Sequence, residues 1–303
     1  MPKQPRRLEV ESITFSSGAL RSRELPKTVY KGLWLKLSIT HTNGVGPTTT
    51  VDTLMAVLSK INIVINGQDQ LKSVPFRHIY YRNQYDFSQA PQSSIFTTNS
   101  TQGTSYVWAY LPFAMTRSLN PEDTVLDARK FQSLMLEANW GSSIGSNVTS
   151  LDSGTLKIYT DEYSNVDENF AGGRHEENVV SRNLDATGSR TLELEVGSNN
   201  QYRRLWIYTR NNSAALSNVQ IDNLIVKSRA FNYDNINADA LQQFNAWEFA
   251  QSVQTGLYVL DFTRDGKLTQ RIDARNLSEL IVDVNSLVSN GTMEIVKEKA
   301  IFA

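Results

Sequence analysis

The 303-residue chain contains no cysteine. That excludes a disulfide framework, a cysteine-ligated zinc site and thiol catalysis. Histidine is scarce: His41, His78 and His175 are all there is for acid–base or metal chemistry. Neither sign of charge dominates, because 30 Lys+Arg face 31 Asp+Glu for a formal charge of −1. A protein that coats nucleic acid by counterion release carries a large positive excess, so direct genome condensation is not expected. No apolar run approaches the roughly 18–20 residues of a membrane-crossing helix. The opening MPKQPRRLEV has basic residues with no apolar stretch behind them, unlike a secretory signal. With 40% hydrophobic and 20% charged residues, the chain can build a packed core.

What the sequence does contain is mostly strand signal. Alternating or β-rich runs occur at Leu8–Phe15, Leu33–Thr40, Ile61–Ile65, Tyr106–Tyr110, Leu134–Ala138 and Thr155–Thr160. They continue at Thr191–Val196, Leu205–Thr209, Leu224–Val226, Leu257–Phe262, Leu280–Val284 and Met293–Val296. Turn dipeptides punctuate them: Asn43-Gly44, Asn66-Gly67, Asp265-Gly266 and Asn290-Gly291. Many short strands with frequent turns indicate an all-β sandwich or barrel. Two stretches read as helices. Asn237–Ser252 sets Ala240, Leu241, Phe244, Trp247 and Phe249 mainly on one face, with Asn237 or Asp239 as its cap, and Ser73–Tyr85 is aromatic with a proline in its first turn. Asp52–Leu58 suggests one further helical turn.

An internal repeat organises these elements. Leu126–Asn139 (LDARKFQSLMLEAN) returns as Ile272–Asn285 (IDARNLSELIVDVN). In the same order, Tyr30–Leu35 (YKGLWL) matches Tyr202–Ile207 (YRRLWI), and Gly154–Ile158 (GTLKI) matches Gly291–Ile295 (GTMEI). Leu8-Glu9-Val10 and Leu192-Glu193-Leu194 are read as the openings of the two halves, and each half holds a helix at the same place. A unit this long is a duplicated β domain, not a solenoid repeat of about 20–50 residues. The polar stretch between the halves, with Gly172-Gly173, reads as a linker. The expected division is an N-terminal domain at 1–165, a linker at 166–189 and a C-terminal domain at 190–303.

Candidate chemistry is sparse. Asp127-Ala128-Arg129 and Asp273-Ala274-Arg275 sit in both copies, where Asp forms a turn and Arg answers a nearby carboxylate, a structural role. His175-Glu176-Glu177 lacks the second histidine of a zinc-protease helix, since Val179 stands four residues on. Asp161, Glu162, Asp167 and Glu168 lack the ordered spacing of a calcium loop and read as solvated. Trp34 and Trp206 are repeat-equivalent and expected in the cores of the two domains. Lys3, Arg6 and Arg7 form a small basic arm suited to anionic lipid headgroups. No cofactor and no enzymatic activity are expected.

Tandem β domains with a helix in each, no cysteine and near-neutral charge resemble the double-jelly-roll major capsid proteins. The similarity is to those of tailless icosahedral phages with an internal membrane, the corticovirus and finnlakevirus kind. Lys60–Tyr85 and Leu277–Phe302 carry it. The resemblance implies two tandem eight-stranded jelly rolls per chain, each with a short inserted helix. It further implies homotrimeric, pseudo-hexameric capsomers that tile a shell over lipid, with Lys3, Arg6 and Arg7 facing the membrane. Partners would be neighbouring capsomers, the internal membrane and minor capsid or vertex proteins, with no sequence-specific nucleic-acid contact. The protein would assemble in the host cytoplasm and reside in the virion. The competing reading is a tandem jelly-roll carbohydrate-binding protein, a lectin or receptor-binding spike. Indoles exposed along a groove would favour it.

Overall fold

The structure, a computed structural model, describes residues 4–46, 49–144, 148–164, 166, 172–197, 200–229 and 231–302. Lys3 of the basic arm, and Asp167 and Glu168 of the acidic stretch, lie outside the described residues. The chain divides into two units, one of Met1–Thr116 with Asn120–Arg174, the other of Arg117–Leu119 with His175–Ala303.

The first unit has eight principal strands: β1 (Gln4–Thr14), β2 (Leu20–Glu24), β3 (Val29–Asn43), β4 (Leu58–Ile65), β5 (Asp69–Val74), β6 (Gln102–Pro112), β7 (Leu134–Trp140) and β8 (Val148–Ser164). One sheet runs β1-β8-β3-β6 and the other β2-β7-β4-β5, with antiparallel neighbours throughout. That order is an eight-stranded jelly roll. Its core follows from alternation. Leu33, Leu35, Leu37 and Ile39 of β3 are fully buried, while Trp34, Lys36, Ser38 and Thr40 between them face the other side and stay partly exposed. Asn66-Gly67 joins β4 to β5 with φ of 53° and 73°, the paired positive values of a tight hairpin turn. Asn43-Gly44 is no such turn: Asn43 is a buried end of β3 whose side chain donates to the carbonyls of Phe96 and Thr98.

The second unit repeats the plan with β9 (Arg174–Leu184), β10 (Gly188–Leu194), β11 (Gln201–Arg210), β12 (Ile221–Lys227), β13 (Asn232–Asn237), β14 (Leu257–Asp261), β15 (Leu280–Ser286) and β16 (Gly291–Ile301). Its sheets run β9-β16-β11-β14 and β10-β15-β12-β13, the first unit's orders advanced by eight strands. Leu194, Leu205, Ile207, Leu224, Val226, Val282, Val284, Met293 and Ile295 make its core. Two expectations change here. The stretch 166–189 is not wholly a linker, because Arg174–Leu184 is the first strand of the second roll. Leu192–Leu194 therefore belongs to a second strand and is not the counterpart of Leu8–Val10, which lies in a first.

The helices are α1 (Val51–Ala56), α2 (Phe76–Asp86) and α3 (Ala238–Glu248). Thr50 and Thr53 close a capping box on α1, Pro75 precedes α2, and the Asn237 side chain caps α3. α2 links β5 to β6 and α3 links β13 to β14, the same place in each roll. The apolar side of α3 does not all turn inward. Leu241 and Phe249 are buried, but Phe244 and Trp247 are exposed.

Candidate functional site

Both DAR turns have one geometry. Arg129 donates from Nε and Nη2 to the two oxygens of Asp127, each at 2.8 Å, and its backbone N–H reaches the same carboxylate at 3.2 Å. Arg275 grips Asp273 the same way, with its own N–H also at 3.2 Å. The alanine between is fully buried in each copy, which explains a small apolar residue there. The hydrogen bonds from arginine hold both aspartates below the usual carboxylate range. Charge that is paired internally leaves little to hold a substrate.

A second repeated device escaped the sequence reading. Asn83 donates to the Tyr110 carbonyl at 2.7 Å and accepts from the Tyr110 N–H at 2.5 Å. Asn245 does the same to Val259, at 2.9 and 2.8 Å. Each helix is thereby clamped to the strand that follows it. The surrounding residues read Asn83-Gln84-Tyr85-Asp86-Phe87 and Asn245-Ala246-Trp247-Glu248-Phe249, an Asn-x-aromatic-acid-Phe repeat that direct comparison of the two helices would have revealed.

Trp34 and Trp206 do occupy matching positions, paired with Tyr110 and Val259 across the neighbouring strand. Neither lies between its two sheets. Trp206 is fully buried on the outer face of β11, its Nε1 donating to Glu298 at 3.0 Å, with the Phe249 ring 6.4 Å away. Trp34 is only half-buried, against Tyr110 at 4.8 Å, because the outer face of β3 is partly open. Trp34, Trp108, Phe87 and Pro91 line a pocket of about 290 Å³ there. Its polar wall is thin: Asn83 is spent on the strand backbone, leaving Gln89 and Gln92. Sugar recognition needs several convergent polar groups, so the pocket suits an apolar guest better than a glycan.

Arg6 and Arg7 are not a loose arm. They lie in β1, where Arg6 pairs with Glu162 through Nε at 2.6 Å and Arg7 approaches Asp161 at 3.8 Å. Two of the acidic candidates are thus partners for the basic ones.

The histidines are buried. His41 Nε2 meets Ser105 Oγ at 2.8 Å, but that hydroxyl also accepts from the Phe96 N–H, and neither residue is open to solvent. With both side chains sealed from solvent no substrate can reach them, so the pair is packing and not a nucleophile with its base; burial also lowers the His41 pKa. His78 is buried within α2. His175, Glu177 and Glu298 bring ligand atoms within 4.8 Å of one another. Yet Glu298 already accepts from Arg203 Nη1 at 2.7 Å on one oxygen and from Trp206 on the other. A cation would have to displace a buried guanidinium, so these residues form a charge network and do not fit a metal.

No family model and no curated protein sequence matches the chain. Solved structures do. The major capsid protein of Sulfolobus turreted icosahedral virus superposes with a TM-score of 0.80 at 12% identity, over 97% of this chain and 96% of that one. The major capsid protein of bacteriophage PM2 gives 0.67 at 10%, over 99% and 98%. A chain of the PBCV-1 virus capsid gives 0.65 at 9%, over 99% and 94%. The fold is the double jelly roll of major capsid proteins. At these identities the likeness is one of strand order and packing along the whole chain.

Proposed function

We propose that this protein is a structural virion component, a major capsid protein. Its copies associate as trimers that supply six jelly rolls to a pseudo-hexameric capsomer, and capsomers tile an icosahedral shell. One observation carries the reading: both rolls, with a helix at the same place in each, match capsid proteins over essentially their full length. The paired charges of both DAR turns and of the Glu298 network also favour a structural role. Closed symmetry is the default for soluble oligomers. In velocity sedimentation the purified protein is expected as a trimer, and electron microscopy of assembled material should show hexagonal tiles. A monomer across a wide concentration range would refute the reading.

The shell encloses a lipid layer in this reading and meets minor capsid or vertex proteins, after assembly in the host cytoplasm. The N-terminal strand supports a membrane-facing side. Although paired, the Arg6 and Arg7 side chains remain 53% and 72% exposed. Basic groups near an anionic surface contribute about 1 kcal/mol each, summed over many copies. Replacing Lys3, Arg6 and Arg7 with Ser should weaken binding of trimers to anionic vesicles at low salt and leave little difference at high salt. Equal binding at both salts would reject the membrane-facing role and leave the capsid role standing.

A further inference from the structure

The two rolls present the same surfaces in opposite states. On the outer face of β3, Trp34 and Lys36 are partly open, as is Trp108 beside them on β6. Their counterparts on β11, Trp206 and Tyr208, are buried. The helices reverse this. Aligning Asn83–Phe87 with Asn245–Phe249 sets Arg82 against Phe244 and Tyr85 against Trp247. Arg82 and Tyr85 are buried, whereas Phe244 is 56% and Trp247 87% exposed. A surface sealed in one roll is open in the other, and both open surfaces are aromatic. Side-by-side exposed Phe and Trp on one helix turn mark an interaction site more often than a free surface.

We propose, building on the capsid reading, that the Phe244–Trp247 face of α3 docks on the Trp34–Trp108 pocket of a second copy of this chain. The pocket is apolar, walled by Trp34, Phe87, Pro91 and Trp108, and at about 290 Å³ it admits an aromatic side chain. Charge is complementary. Lys36 lies over the Tyr106 and Trp108 rings at 4.6 and 5.4 Å, with no carboxylate in ion-pair reach among the described residues. α3 has no basic residue and presents the exposed Asp239, while Glu248 is half-buried and answered by Arg117, Arg204 and Arg264. The contact joins two different patches, so it is heterologous: each copy offers a helix to one neighbour and a pocket to another. A heterologous contact gives a ring when its rotation closes and a filament when it does not, and a rotation of one third of a turn closes three copies into the capsomer.

Aromatic anchors at the centre of an interface typically account for at least about a thirtyfold change in affinity when truncated. Trp247→Ser and Trp34→Ala should each raise the dissociation constant of the oligomer by at least about thirtyfold in sedimentation equilibrium. Trp247 is mostly exposed, so the Trp247→Ser chain should keep its far-ultraviolet circular dichroism. The lack of native cysteine permits a direct test. Gln92→Cys and Gln243→Cys chains, the second altered at an exposed position one turn before Trp247, when mixed and treated with a short bismaleimide should give a cross-linked dimer that neither gives alone. An unchanged oligomer in both tryptophan variants, or no mixed cross-link, overturns the docking site, and the capsid reading survives if capsomers still form. Loss of binding to a glycan array on Trp34→Ala, with the oligomer unchanged, assigns the pocket to sugar and also overturns it. A wild-type chain that never associates overturns both.

Discussion

Asn83 and Asn245 each satisfy both backbone groups of one strand residue from a neighbouring helix. Losing such a side chain strands a buried donor and acceptor, a cost of about 1–3 kcal/mol. Asn245→Ala should lower the free energy of unfolding in urea by that amount, and no change would mean that the clamp is incidental. The two tryptophans should separate. Trp206→Ala removes a fully buried indole and should cost about 3–5 kcal/mol in the same measurement, whereas Trp34→Ala should cost clearly less. His41 gives a pH signature. Burial lowers its pKa from the ordinary 6.5, outweighing the opposing pull of Asn43 and Asp152. The unfolded chain then takes up the proton first, so stability falls as pH drops below about 6.5. His41→Gln should flatten the thermal midpoint between pH 7 and 5 relative to the parent, and an identical slope would remove His41 as a contributor.

At the scale of elements, the strands absent from the sequence reading share a character. β2 (LRSRE), β9 (RHEENVVSRNL) and β13 (NYDNIN) are polar, and each lies at the end of its sheet order within its unit. Strands with few buried residues lack the alternation by which sequence reveals a strand. β5 (DQLKSV) fails for another reason: its last two residues, Ser73 and Val74, run directly into Pro75 and α2, so strand and helix signals merge. β9 offers the sharpest check. A linker at 174–184 would exchange its amide hydrogens quickly, but a strand hydrogen-bonded along β16 should protect them. Rapid exchange throughout 174–184 would restore the linker.

For the whole molecule, duplication explains why one strand order serves twice while the connections differ. The chain between β3 and β4 carries α1, whereas between β11 and β12 there is only the short turn Asn218–Gln220. Loops vary on a frame fixed by two packed sheets. In the proposed capsomer the open Trp34 face of one copy meets the open Trp247 face of another. A capsomer built this way should bury well above the roughly 1,000 Å² of a specific contact per interface.

The class, the duplication and the repeated turns were legible in the chain alone. Alternating Leu33, Leu35, Leu37 and the repeated Asp-Ala-Arg are local patterns, set by backbone period and by hydrogen bonds spanning two residues. Tertiary structure decided what those patterns cannot encode. Whether Trp34 or Trp206 is sealed, and whether Phe244 and Trp247 point to core or solvent, depends on what packs over a face, and identical local signals receive opposite burial. Likewise His41 and Ser105 sit 64 residues apart in sequence, and only the pairing of β3 with β6 brings them together. Burial is a property of the assembled surface, and so it is read from the fold and not from the chain.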